Sequence, residues 1–597
     1  MFAERLRYLP FALPDFSAAP PAGDRQGWSA LPDWVHEQIL ADGEAARAAD
    51  DPQLLASDYL AYSRTGDRAG FEAKYFARRR RLNALALAEC VEHRGRFLDG
   101  IVDGVMLLCE ESGWQLPAHN AQVRNGPRAP LADPERPVID LFSAETGAQL
   151  AVLGQLLGPE LDGAASGLVR RIDRELERRI FAPYLSRNFW WMGNADERMN
   201  NWTAWCTQNV LLAAFCRPLS DSRRRQVATQ AAASLDAFLK DYADDGACEE
   251  GVHYYRHAGL CLFNSLVVLT AIAPEAFSPL WREPKLRNIA EYIVHMHVGG
   301  RRYFNFADSS AVVEACGARE FLFGKAVGST LLTDFAARDW AADRHATLPD
   351  EINLFYRVQT AFTAAELDAQ RVHQVPQEDR FLPGIGLLLA RDDRFALAVK
   401  GGNNGESHNH NDVGSLILYK DEQPVLIDIG VETYTAKTFS AERYDIWTMQ
   451  SAWHNLPSFG GVMQRDGATF TARDVAVTLA PEAATFVADI AGAYPAEAQV
   501  RSYRRRVTLH KARKVVIEDD YDGDRAAELS LIFSVRPELA PASLTLPGLA
   551  DIAIEGAGQM RLEEVAVADV RLRATWPDRL YRLLVPLAAH RLMLTIT

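Results

Sequence analysis

The sequence predicts a two-domain α + β protein, a helical toroid or solenoid followed by antiparallel sheets. Three observations predict it. Apolar residues recur at helix spacing through about the first 350 residues. Short alternating runs bounded by turn residues replace them after about residue 380. A chain of 597 residues is also too long for one ordinary core.

The helical half is read from its stripes. Val227, Ala231, Leu235, Phe238, Leu239 and Tyr242 repeat at helical spacing, with Ser220 and Ser222 as candidate N-caps after the breaker Pro218. Similar stripes cover Phe71 to Cys90, Leu141 to Leu157, Trp202 to Phe215 and Leu260 to Ile272. Many moderate helices with short connections suit a toroid or solenoid better than one bundle. Pro117 to Pro137, rich in Pro, Asn and Arg, reads as an irregular loop. In the second half, pairs of strand-like runs flank KDEQ and HKAR and read as hairpins. Helices first and strands after imply separate domains. The boundary falls between Glu366 and Pro383, giving 1–375 and 376–597.

Bulk properties narrow the function. Net charge is −15, which argues against a nucleic-acid partner and requires a local basic groove for any polyanion. The seven cysteines are odd in number and form no CxxC pair, so neither a disulfide framework nor a cysteine zinc site is expected. No run reaches the roughly 20 apolar residues of a membrane span. The N-terminal stretch is broken by Pro10, Pro14 and Asp15 and lacks a secretory h-region, so a cytoplasmic protein is expected, or a periplasmic one if a signal was removed.

Three segments carry chemistry. GGNNGESHNHNDVGSLILYKDEQPVLIDIG holds His408 and His410, which share a face if the chain is extended. It also holds Asp428 inside an apolar run, where a carboxylate needs a cationic or metal partner. With His454 in SAWHNLP, the set His410, Asp428 and His454 suits zinc; Asp428 pairing with an arginine is the alternative. RNFWWMGNADERMNNWTAWCTQN crowds Trp190, Trp191, Trp202 and Trp205, which suit sugar stacking or core packing equally. Its Asn200 and Asn201 are amides at a helix start, placed to donate into a cavity. DDGACEEGVHYYRHAGLCLF brings His253, Tyr254, Tyr255, Arg256 and His257 together after an acidic, Gly-punctuated loop.

Taken in order, NNW, DGACEEGVHYY, HNHND…GS…LIDIG and RYDIWTMQSAWHNLP resemble the heparinase II/III-like superfamily of polysaccharide lyases, related alginate lyases included. The resemblance spans roughly Arg187 to Gly461. It implies an incomplete (α/α) toroid joined to antiparallel β-sheets, with the active site in the cleft between them. It implies cleavage of a uronate-containing poly- or oligosaccharide by β-elimination, leaving a 4,5-unsaturated end. By the same resemblance Tyr254, rather than Tyr255, is the catalytic phenol, His408 stands at the reacting centre, and Asn201 binds the uronate carboxylate. His410, Asp428 and His454 hold one structural zinc, while Arg443 and Tyr444 contact substrate. Asn200, Trp202, Tyr255, Arg256 and Trp190 are the further substrate-binding candidates. Trp202 stands where some relatives carry His, which loosens any assignment to alginate.

β-Elimination needs donors that neutralise the uronate carboxylate, a base for the C5 proton and an acid for the leaving oxygen. A glycoside hydrolase with paired carboxylates drawn from Glu249, Glu250 or Asp412, a zinc hydrolase, and a non-catalytic glycan binder are the rival expectations. The glycan, the mode of attack and the oligomeric state (a homodimer among the options) are not written in the sequence.

Overall fold

The structure, a computed structural model, describes every residue except 194–195, 346, 374 and 376. The chain forms two compact units. One comprises Met1–Tyr242, Arg256–Ala290 and Ala315–Val375; the other comprises Ala243–Tyr255, Glu291–Glu314 and Pro376–Thr597. The division is therefore not the single cut expected near residue 375. Two stretches of the helical half, one carrying Tyr254, belong with the sheets.

The first unit is an all-helical, toroid-type array. Asp33–Ala48 packs on Ala69–Glu92, which meets Leu98–Glu110; that helix meets Leu141–Ala164, and the order continues through Asn201–Cys216 to Asp221–Asp241. Leu354–Ala369 returns to pack on Leu141–Ala164. Asn201–Cys216 is buried almost all round, which explains its lack of an amphipathic stripe. Polar side chains lock the helices inside: the Asn353 amide donates to Glu145 Oε1 and Asn209 Oδ1, both at 2.9 Å. The helical stripes read from the sequence fall within Ala69–Glu92, Leu141–Ala164, Asn201–Cys216, Asp221–Asp241 and Tyr255–Ile272. One expectation needs correction: Val252–Ile272 is long and apolar enough to cross a membrane. Some 72% of its most apolar window is buried inside the fold, the mark of a core helix.

The second unit stacks antiparallel sheets of eight, five and four strands over one apolar core, with residues such as Leu397, Phe486, Val507 and Leu531 in a single cluster. Both expected hairpins form. Leu416–Lys420 and Gln423–Leu426 are joined by Asp421 and Glu422, at φ 49° and 60°, the left-handed pair of a tight hairpin turn. Val500–His510 pairs with Lys514–Gly523 through a turn in which Ala512 has φ 58°. Inside this core Arg505 is 1% exposed and binds both oxygens of Asp519 at 2.8 and 2.7 Å. It also donates to the carbonyls of Gly414 and Asn455, so one buried guanidinium ties the sheet to the loop that follows His454.

Asp519→Ala is expected to leave this cation uncompensated and to cost about 3–5 kcal/mol. Urea denaturation followed by far-ultraviolet circular dichroism will show the sheet unit's transition at lower urea if so; an unmoved midpoint contradicts this account.

Candidate active site and metal centre

Asp308 organises the site, on a loop between the short strand Arg302–Tyr303 and the helix Ala318–Val327. The loop turns sharply at Ala307, φ 60°. Two glycines leave room for it. A Cβ on Gly251 would lie 2.3 Å from Ser309 Oγ and 2.4 Å from the Phe306 carbonyl; one on Gly430 would lie 2.7 Å from the Ser309 carbonyl. Both have positive φ, 94° and 81°. The loop is further held by His253 N–H to Ser309 Oγ at 3.1 Å and by Asn305 Nδ2 to the Asp428 carbonyl at 3.1 Å.

The fully buried Asp308 carboxylate accepts four hydrogen bonds. Oδ2 faces His408 Nδ1 at 2.7 Å and the Tyr434 hydroxyl at 3.2 Å. Oδ1 faces His410 Nε2 at 3.1 Å and Arg443 Nη2 at 2.7 Å. Burial opposes the charge, but Arg443 and the two imidazoles hold its pKa well below the usual carboxylate range. His408 Nε2 meets Glu250 Oε2 at 3.1 Å, so this imidazole sits between two carboxylates. Burial opposes its charge too, yet the two hydrogen-bonded carboxylates raise it to about 9. His408 is thus an imidazolium at neutral pH.

The Tyr254 ring packs on His408, centroids 4.1 Å apart, and its hydroxyl pairs with Tyr434 at 2.8 Å. Burial first, then Tyr434 and Asp308, push the Tyr254 phenol well above its usual pKa, with Arg571 opposing them. The Arg571 guanidinium lies 4.8 Å over the Tyr434 ring. Phe439, 47% exposed, sets its edge against both His408 and Tyr434 and marks the open side.

Beside this group His410, Asp428 and His454 offer three ligand atoms within 4.8 Å of one another, all buried. The hydrogen bonds fix the tautomers. His410 Nε2 faces Asp308 and His454 Nδ1 faces the Gln450 carbonyl at 2.9 Å, so the other nitrogens present lone pairs to each other at 3.4 Å. Asp428 Oδ1 accepts from Gly430 N–H, while the buried Oδ2 has no hydrogen bond among the described residues and lies 3.3 Å from His454 Nε2. Burial opposes a charge on His454 but Asp428 favours it, so either a proton or a metal ion can balance these three converging atoms. Ligands about 2.0–2.1 Å from a tetrahedral zinc are about 3.3 Å apart, so the residues present fit that ion.

Several roles expected from the sequence change once the side chains are placed. His408 is not extended; at φ 57° it is left-handed, and it meets His410 through the shared Asp308 carboxylate rather than through strand pleat. The strand before Asp428 stops at Leu426. Tyr255 is fully buried against Tyr292, a core position rather than a substrate contact. Arg256 is directed to the Ala315 carbonyl and to Glu320 within the helical unit. Arg443 commits all three guanidinium nitrogens to Asp308 and the Asn409 and Thr438 carbonyls, so it holds the loop in place of substrate. The Tyr444 hydroxyl accepts from Asn409 at 3.1 Å.

In the helical unit Asn200 caps its helix, accepting from Trp202 N–H at 3.1 Å, and Asn201 is the buried first residue. Trp202 and Trp190 are half-buried, their centroids 5.1 Å apart, with Arg124 4.4 Å over Trp190 and His119 against Trp202. The carboxylates offered for a hydrolase are engaged: Glu250 with His408, and Asp412 with Lys400 at 2.7 Å. Sequence reasoning missed Asp308, Tyr434, Phe439 and Arg571. Only Asp308 left a signal, as an Asn–Asp–Ser interruption of the apolar run YFNFADSSAV.

Residues 374–595 match the family described as "Heparinase II/III-like, C-terminal". The match lies within the C-terminal part of the chain and covers less than half of it. The whole heparinase-like fold is shared with solved structures. A crystal structure of heparinase III matches with a TM-score of 0.61 at 13% identity, over 94% of this chain and 89% of that one. A mutant of the heparan sulfate lyase HepC from Pedobacter heparinus matches with a TM-score of 0.56 at 12% identity, over 94% and 88%. A mutant of the Streptomyces coelicolor A3 chondroitin AC lyase matches with a TM-score of 0.50 at 12% identity, over 95% and 80%. No match was found among curated protein sequences.

Elemental analysis of the purified protein is expected to find about one divalent transition metal per chain, and Asp428→Ala or His454→Ala to lose it with a lower melting temperature. Wild-type protein that stays metal-free when zinc is supplied contradicts this assignment.

Proposed function

We propose that this protein is a lyase that cleaves a uronate-containing poly- or oligosaccharide by β-elimination. The observation that carries the reading is the Tyr254–His408 pair: a phenol in close, tilted ring contact with an imidazole held between Asp308 and Glu250. These are the two groups that elimination asks for. A cation neutralises the uronate carboxylate and stabilises the negative charge that develops when C5 loses its proton. A single preorganised donor of this kind is worth roughly 3 kcal/mol in comparable sites. The ionised Tyr254 oxygen takes the C5 proton and then returns it to the glycosidic oxygen as the C4–O bond breaks, so one group serves as base and then as acid. Uptake of the C5 proton requires the phenolate, which Arg571 favours and burial opposes.

Aromatic groups support a sugar ligand in each unit: the exposed Phe439 beside His408, and the half-buried Trp190–Trp202 pair with Arg124. Asn201 is the candidate for the uronate carboxylate, as the resemblance implies. The metal is proposed to be zinc, held by His410, Asp428 and His454; when bound it supplies a structural brace for the loop bearing His408. That use of the ion fits the chain's own groups, because the acid and the cation needed for elimination are Tyr254 and His408.

Tyr254→Phe is expected to lower turnover by at least about a thousandfold, since it removes the proton-transfer atom and little packing. The assay is the ultraviolet absorbance of the unsaturated product across heparan-, chondroitin-, alginate- and glucuronan-type substrates. Reducing ends released without that absorbance would mean hydrolysis and refute the proposal. The pH profile separates the phenol's roles. If the acid is rate-determining, kcat/KM holds through neutrality and falls only above the ordinary tyrosine value of about 10. If the phenolate is the base, kcat/KM rises with pH over the same range.

A further inference from the structure

We infer that Asp308 is the positioning residue through which the metal centre sets the orientation of His408, so that metal occupancy and the elimination step are coupled through one carboxylate. The inference rests on the proposed lyase reading for its activity arm only.

The geometry is a three-part linkage. His410 presents Nδ1 to the metal cluster and Nε2 to Asp308 Oδ1, and an imidazole is rigid. Fixing one nitrogen on a metal therefore fixes the line along which the other donates. The Asp308 carboxylate is also rigid, and its second oxygen receives His408 Nδ1 at 2.7 Å and Tyr434, the hydroxyl partner of Tyr254. The metal ligand, the His408 ring and the phenol pair are thus joined by one planar group.

The carboxylate has little freedom to follow a displaced partner. Its loop is confined by Gly251 and Gly430, where even a methyl group would collide, and Arg571 donates to the Asp308 carbonyl at 3.2 Å. His408 in contrast carries stored strain. A left-handed backbone at a non-glycine residue is unfavourable, and such a residue holds that conformation where surrounding bonds over-determine it. The bonds from Asp308 and Glu250 to its ring do this. With the cluster empty, no ligand bond fixes the His410 ring, whose Nδ1 faces His454 Nε2 at 3.4 Å, and the line along which its Nε2 donates to Asp308 is no longer set.

The test is a two-by-two comparison of wild type and Asp308→Asn, each with zinc and after chelation, with Ser310→Ala as the control on the same loop. Competition against a chromophoric chelator should show zinc binding weakened about 10–100-fold in Asp308→Asn, the range for groups that orient a metal-bound histidine, and unchanged in Ser310→Ala. Removing zinc from wild type should lower kcat with little change in KM. Removing it from Asp308→Asn should lower kcat much less, because the connection is already cut. Equal losses in both backgrounds, or wild-type zinc affinity in Asp308→Asn, overturn the inference. A measurement on wild type guards against a misfolded variant: adding zinc to metal-free protein should shift the downfield His408 Nδ1 proton resonance, assigned with His408→Gln. An unmoved resonance overturns the coupling. The affinity and resonance arms need no turnover, so a failed lyase proposal would be seen separately.

Discussion

A single buried carboxylate accepting four hydrogen bonds is the constraint on which the site depends. Asp308 has no solvent to stabilise its charge, and the compensation comes from Arg443, His408, His410 and the Tyr434 hydroxyl. These donors all come from the stretch of chain between residues 408 and 443. An unpaired buried charge is costly enough that the loops must close around it together. Specificity of geometry follows, because the carboxylate is planar and its lone pairs point in fixed directions.

The surroundings are arranged to ease that closure. Gly251 and Gly430 leave space where any side chain would strike the Asp308 loop. The backbone of His408 is left-handed, and its ring is bonded on both nitrogens by Asp308 and Glu250. Farther out, Arg505, itself paired with Asp519, donates to the carbonyls of Gly414 and Asn455 on the sheet side of the site segment. The sheets act as a frame, and the chemistry rests on loops held by polar contacts to that frame.

The electrostatic consequence is a separation of roles between neighbouring groups. Burial alone raises a phenol's pKa and lowers an imidazole's. Tyr254 follows that rule and keeps its proton. His408 breaks it, because Asp308 and Glu250 outweigh burial. One environment therefore yields a neutral acid and a cation in ring contact, which is the combination a carboxylate-bearing sugar would meet.

The sequence by itself determined the two halves and most of the local elements. Hydrophobic period is a local property, so the stripes at Phe71 to Cys90 and Trp202 to Phe215 became helices, and the turns at KDEQ and HKAR became hairpins. It also pointed to His410, Asp428 and His454, which the structure brings together as a cluster that could hold a metal ion, because those residue types lie in a short, ordered segment whose motifs are distinctive. Only the tertiary structure decided the rest. The membership of Tyr254 in the sheet unit, the convergence of His408 and His410 on Asp308, and the entry of Tyr434 and Arg571 join positions up to 263 residues apart. No periodicity encodes such pairings, because they are chosen by which buried charges and donors can satisfy one another once the chain has closed.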